Sequence, residues 1–213
     1  MTDEKSTKDW IEKITSAWTG HRKFAEWLVN LMNPNVIVEL GVDYGYSTYV
    51  FGQALQKNKE EKKIEGRITG IDLFLGDVHA GSRNTLDFVK DNIEQHHLTQ
   101  IDIVVSDFAE YAQQWKQPID ILHIDGLHTL EAVTEDFKNW APFVKVNGVI
   151  LFHDVAIEQF GIKDFFHHLK GGHKLYFKHS AGLGIYTRNA DLYERIKKKY
   201  GDSIHDENIT PLI

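Results

Sequence analysis

The stretch that most constrains this chain is VIVELGVDYGYST, residues 36–48. An apolar run from Val36 to Leu40, with Glu39 inside it, ends at Gly41, and Gly45 follows four residues later. Ser47 and Thr48 then open a stretch in which Val50, Phe51, Ala54 and Leu55 recur at helical spacing. The pattern predicts a buried strand, a tight glycine turn and a helix N-terminus. Glycine lets backbone approach a ligand with no Cβ in the way. The helix start offers free N–H groups and the positive end of a dipole to an anionic group.

Glycine spacing separates the ligand classes that use such a turn. A dinucleotide fingerprint reads G-x-G-x-x-G after the strand, but Asp43 stands where the middle glycine belongs. What remains, Glu39-x-Gly41-x-x-x-Gly45, resembles motif I of class I S-adenosylmethionine methyltransferases. Asp72 closes the next strand, in RITGIDLF. In both families that carboxylate takes the ribose hydroxyls. A strand-end aspartate that merely caps a turn explains Asp72 but not the pair.

At 213 residues the chain is one ordinary domain (34–213) with a short helical appendage (1–33). It contains no cysteine, so disulfides, zinc–thiolate sites and a cysteine nucleophile are excluded. That suits a reducing cytosol, and the charged start MTDEKSTKDW has no apolar signal core. A cytoplasmic protein without a membrane span is expected. The net charge of −7 argues against nucleic acid as main partner. Twelve histidines is a high count, so each needs a spatial argument before it is given a role.

Residues 6–32 read as two helices, the second with Phe24, Trp27, Leu28 and Leu31 on one face and stopped by Pro34. This appendage is suited to covering a ligand site or to a homo-oligomer contact. Strands follow near 67–73, 101–105, 119–125 and 149–154, the last entered through a turn at Asn147-Gly148. Helices lie between them; the clearest carries Leu130, Val133, Phe137 and Trp140. Five βα units make a doubly wound, mostly parallel α/β sheet. KLYFKHS and AGLGIYTR add an antiparallel strand pair, and a last helix spans about 190–200.

Ligands of open α/β sheets bind at the carboxyl ends of the strands. Glu39, Asp72, Asp107, Asp125 and Asp154 stand there, accompanied by His128 and His153. Each acid alone is as well explained as a helix cap. Five together would repel one another, and a bound cation relieves that repulsion. Asp125 and Asp154 come from strands expected side by side and suit an oxygen-rich, magnesium-like site. His153 is the weaker third ligand, because it and Asp154 point the same way only if the strand has ended. His128, at the start of the following helix, is either a surface residue or a general base. The loop with Asp77 and His79 follows the second strand and is expected to border an acceptor pocket or to be plain solvated loop.

IDILHIDGLHTLEAVTEDFKNW, with GVILFHD downstream, resembles the methyltransferase-24 group of class I methyltransferases, often found beside glycosyltransferases. The likeness runs from about Trp18 to Tyr186 and includes the loop GDVHAG and a final GLG. Leu130 replaces a usual tyrosine and Phe74 a usual tryptophan. More distantly the chain is similar to metal-dependent O-methyltransferases of macrolide sugars. The resemblance implies a seven-stranded sheet and S-adenosylmethionine bound by Glu39, Gly41, Val42, Gly45, Tyr46, Ser47, Asp72, Leu73, Asp107, Phe108 and Asp125. It implies Mg2+ or Mn2+ on Asp125 and Asp154, with His153 at a position acidic in those enzymes, and His128 as the base. The expected activity is methyl transfer to a hydroxyl of a sugar or glycoconjugate, although nitrogen remains open as acceptor. A non-catalytic cofactor-binding subunit and a dinucleotide oxidoreductase are the alternatives. Intact Asp125 and His128 weigh against the first, and the missing glycine against the second.

Overall fold

The computed structural model describes residues 10–77 and 81–206. The chain falls into two compact units, Met1–Phe108 and Ala109–Ile213. The first contains helix α1 (Arg22–Met32), β1 (Val36–Leu40), α2 (Tyr46–Lys62), β2 (Arg67–Asp72), the small hairpin β3–β4 (Gly76–Asp77, Gly81–Ser82), α3 (Leu86–Gln95) and β5 (Ile101–Val105). β2 lies parallel between β1 and β5, with Leu40 opposite Ile71 and Ile71 opposite Val104. Ile37, Val38 and Leu40 are fully buried, as a strand covered on both faces requires. Helix α2 packs closely at Gly52, where a Cβ would come within 2.5 Å of the Ile101 side chain.

Of the two helices expected over 6–32, the described residues contain one. The segment before α1 forms two 3-10 turns, Ile11–Lys13 and Ala17–His21, the second capped by Ser16, which accepts from the Trp18 amide. A serine cap and Gly20 within so short a stretch favour tight turns over a continuous helix. α1 buries Phe24, Ala25, Leu28 and Val29. It is fastened to α2 by Asn58, whose amide donates to the Val29 carbonyl at 3.1 Å.

Helix α4 (Phe108–Ala112) crosses from the first unit into the second. Then come β6 (Ile119–Ile124), α5 (Leu130–Trp140), β7 (Val144–His153), α6 (Gly161–His168), β8 (His173–Phe177), β9 (Leu183–Thr187), α7 (Ala190–Tyr200) and β10 (His205–Asp206). β6 and β7 are parallel; β9 is antiparallel to β7 and β8, and β10 to β8. Phe152 of β7 meets Phe166 of α6 at 5.8 Å between ring centres, and a Cβ on Gly184 would strike that ring at 2.7 Å. The final GLG is therefore partly a packing requirement.

The three strands of the first sheet segment and five of the second make eight, one more than expected. The extra strand, β10, is two residues long and carries no periodic signal. β7 also begins five residues before the expected 149. Asn147-Gly148 lies within the strand beside a register shift between Ile119 and Ile121, and a Cβ on Gly148 would sit 2.9 Å from the Asp120 carbonyl oxygen. A bulge uses glycine as readily as a turn does. No helix among the described residues is long and apolar enough to cross a membrane.

Candidate active site

In the first unit the expected cofactor residues gather around the end of β1. Gly41 (φ 91°) extends the ladder by donating to the Ile71 carbonyl at 3.0 Å. Gly45 (φ 81°) is the N-cap of α2, and a Cβ there would sit 2.6 Å from the Tyr49 ring. The turn thus needs glycine twice for its backbone conformation and once for space. Val42, Tyr46 and Ser47 are buried, and burial pushes the Tyr46 phenol up despite the nearby Arg22. Glu39 is fully buried and accepts a hydrogen bond from the Thr48 hydroxyl, bracing the strand against the first turn of α2.

Asp72 ties the turn together. One carboxylate oxygen accepts from the Val42 and Asp43 amides at 2.8 and 3.0 Å, the other from the Phe74 amide at 2.7 Å. The oxygen that accepts from Phe74 keeps a lone pair for a further donor, while the other is already filled by two amides. Leu73 is exposed beyond it. Asp107 is exposed and Phe108 half-buried past the end of β5. Asp77 lies in the β3–β4 hairpin opposite Gly81, and His79 falls outside the described residues.

In the second unit four of the expected residues come together. β6 ends at Ile124 and delivers Asp125; His128 follows just before Thr129, whose hydroxyl caps α5. β7 ends at His153, and Asp154 takes a left-handed backbone (φ 62°). The strand has ended, so consecutive side chains turn to one centre. His128 Nε2 is 2.6 Å from Asp154 and 3.8 Å from Asp125. His153 Nδ1 is 3.3 Å from Asp125 and 3.4 Å from Asp154. Because a carbonyl only accepts, the contact of His153 Nε2 with the Ser180 carbonyl at 3.1 Å places the proton on Nε2.

Burial disfavours charge on all four groups, and their mutual attraction overcomes it. For His128, burial lowers the pKa, but hydrogen bonds to Asp125 and Asp154 raise it to about 9. His153 is likewise lowered by burial and carried to about 10, mainly by Asp125. Against burial, His153 and His128 hold Asp125 well below the carboxylate range, and the same pair depresses Asp154. Ligating atoms of Asp125, His128 and Asp154 all lie within 4.8 Å of one another. Two carboxylates and an imidazole that close together could hold a divalent cation.

Three contributors went unread in the sequence. Phe160 stacks on the His128 ring at 4.5 Å and 12°. The Gly161 amide donates to the His128 carbonyl at 2.9 Å, fixing the loop that carries the histidine. Ser180, Ala181 and Gly182 all have positive φ, a strained run that presents the Ser180 carbonyl to His153. Only Gly182, within GLG, gave any signal, and it packs against Ala156, whose amide would be 2.5 Å from a Cβ there.

Residues 38–155, more than half of the chain, match the family described as methyltransferase domain, methyltransferase-24. Among curated proteins, uncharacterized protein y4gI of Sinorhizobium fredii is 31% identical over 181 residues, 80% of this chain. The chain spans only 19% of that protein's length. A provisionally assigned caffeoyl-CoA O-methyltransferase of Staphylococcus aureus superposes with TM-score 0.63 at 17% identity, over 83% of this chain and 85% of that one. An O-methyltransferase of Bacillus cereus in complex with S-adenosylhomocysteine gives 0.62 at 16%, over 88% and 93%. CalS11, a TDP-rhamnose 3'-O-methyltransferase of calicheamicin biosynthesis, gives 0.56 at 16%, over 77% of each chain. These likenesses establish the α/β Rossmann-like methyltransferase fold. With the glycine turn and the Asp125–Asp154 strand ends both inside the matched span, the chain belongs to the methyltransferase-24 family of class I S-adenosylmethionine-dependent methyltransferases.

Proposed function

We propose that this chain transfers a methyl group from S-adenosylmethionine to a hydroxyl of a sugar or glycoconjugate, with a divalent cation at Asp125 and Asp154. The observation that carries the proposal is the convergence of Asp125, His128 and Asp154. The likeness to a TDP-rhamnose 3'-O-methyltransferase favours a sugar acceptor. In the first unit Gly41 and Gly45 keep the turn clear of side chains, and Asp72 fixes its backbone while offering its one remaining lone pair to a ribose hydroxyl. S-adenosylmethionine, when bound, supplies a methyl that passes to the acceptor oxygen as its bond to sulfur breaks.

In the second unit Asp125 and Asp154 would hold Mg2+ or Mn2+. The cation supplies positive charge against which an aliphatic hydroxyl loses its proton more readily. His128 Nε2 takes that proton. With no cation in place, the two carboxylates hold His128 protonated, so neutralising them is what makes it a competent base. Phe160 and the Gly161 amide keep its ring and loop in position, and His153, pinned by Ser180, backs Asp125.

The spacing of the three donors also favours a second reading, in which His128 is itself a ligand. His128→Ala separates the two. A base variant keeps Mn2+ affinity and loses turnover by about 10²–10⁴-fold; a ligand variant loses Mn2+ affinity as well. The function is tested with labelled S-adenosylmethionine and a panel of nucleotide-linked deoxysugars and simple glycosides. Transfer to a hydroxyl is expected. Tight S-adenosylhomocysteine binding without transfer to any acceptor would instead indicate the non-catalytic subunit.

A further inference from the structure

The second unit has a cavity of about 310 Å3 unrelated to the Asp125–Asp154 cluster. Its floor is apolar and aromatic: Phe137 of α5, Pro142, Ile150 of β7 and Tyr186 of β9. The Phe137 and Tyr186 rings meet edge-to-face at 6.3 Å and 81°, and the Tyr186 hydroxyl is held by the Lys170 carbonyl at 3.1 Å. The floor is therefore fixed on two sides. At the rim stand Lys138, Lys145 and Arg188, and no carboxylate is among the described residues lining it. That is unusual for a chain with 31 acidic and 24 basic residues.

The three cations are not equivalent. Lys145 is neutralised by Asp120 at 2.7 Å. Arg188 makes a hydrogen bond to the Val144 carbonyl at 3.2 Å, which anchors the guanidinium, and it makes no ion pair among the described residues. Lys138 is exposed and makes no ion pair among the described residues. Two positive charges thus face an aromatic floor. Small-molecule sites run from about 300 to 1,000 Å3, so this one has room for a single or fused ring and little more.

We propose that this cavity binds a small organic anion: a flat apolar body against Phe137 and Tyr186, with a carboxylate or comparable anionic group on Arg188 and Lys138. The guanidinium is the group best shaped to take a carboxylate through two parallel N–H donors. The site is separate from the proposed methyl-transfer centre. Gly148, at the cavity, is six residues from Asp154 along β7, about 20 Å of extended chain. The proposal stands whether or not the chain transfers methyl groups.

Calorimetric titration of the full chain with 2-naphthoate tests it, with uncharged 2-naphthamide as the control. One saturable site for naphthoate is expected, with the amide weaker by about tenfold or more, the scale of a lost charge-assisted contact. Arg188→Gln and Lys138→Gln should each weaken naphthoate comparably, while Asp125→Asn should leave it unchanged. Lys138 is a surface residue of a helix, so its variant tests the charge even if Arg188→Gln disturbs the fold. Absence of saturation, equal affinity for acid and amide, indifference to Lys138→Gln, or loss of binding in Asp125→Asn would each overturn the proposal.

Discussion

Asp72 shows how one side chain carries a structural and a chemical role together. Its position at the end of β2 suggested a ribose contact, yet in the fold it already accepts three backbone amides from Val42, Asp43 and Phe74. Removing the carboxylate leaves those donors without their acceptor. Asp72→Ala should therefore cost about 1–3 kcal/mol in denaturant unfolding and also weaken S-adenosylhomocysteine. Wild-type stability in that variant would contradict the bracing role. The histidines make a second prediction at this scale. His128 and His153 have pKa values raised to about 9 and about 10 in the folded chain. A raised folded-state value means stability that is fully present below the ordinary histidine pKa of about 6.5 and lost as pH climbs through the raised values. In excess chelator, the thermal midpoint should fall between pH 6.5 and 10. His128→Ala should flatten part of that decline; an unchanged profile would show that the imidazole is not paired as described.

At the scale of elements, what the sequence made legible was what repeats. The burial of β1, the apolar faces of α1 and α5, and the strand ends delivering Asp125 and Asp154 follow from periodicity and from the placement of acids. The early start of β7 was hidden because Asn147-Gly148 is a turn signal that the β6–β7 bulge also accepts. Phe160 and Ser180 were hidden because each acts through a contact 27 or more residues away in sequence, which no local pattern encodes. The start of α6 deserves its own test. A Cβ on Gly161 would lie 2.2 Å from the Leu130 amide and 2.7 Å from its Cα, with no side chain to swing aside. Gly161→Ala must displace either α6 or the loop holding His128. Lower thermal stability and loss of turnover are expected, with S-adenosylhomocysteine affinity kept. Unimpaired turnover would mean that the α6 start does not set the histidine's position.

For the molecule as a whole, the residues expected to hold the methyl donor, Asp125 apart, lie in the unit ending at Phe108, and those proposed to hold the cation and move the proton lie in the unit that follows. The two roles are thereby separable by mutation. The family and its fold were legible because the glycine turn and the IDGLH and FHD stretches sit at fixed points of the βα order. The acceptor was not legible: the loop expected to border it, with Asp77 and His79, carries no periodicity, and His79 lies outside the described residues. The most direct test of the account is methyl transfer from labelled S-adenosylmethionine measured before and after chelation, with S-adenosylhomocysteine affinity followed alongside. Chelation and Asp125→Asn should each remove transfer and leave that affinity largely intact, and Mg2+ or Mn2+ should restore activity to the chelated wild type alone. Full transfer in excess chelator, unaltered in Asp125→Asn, would contradict the assignment of Asp125 and Asp154 as a catalytic cation site.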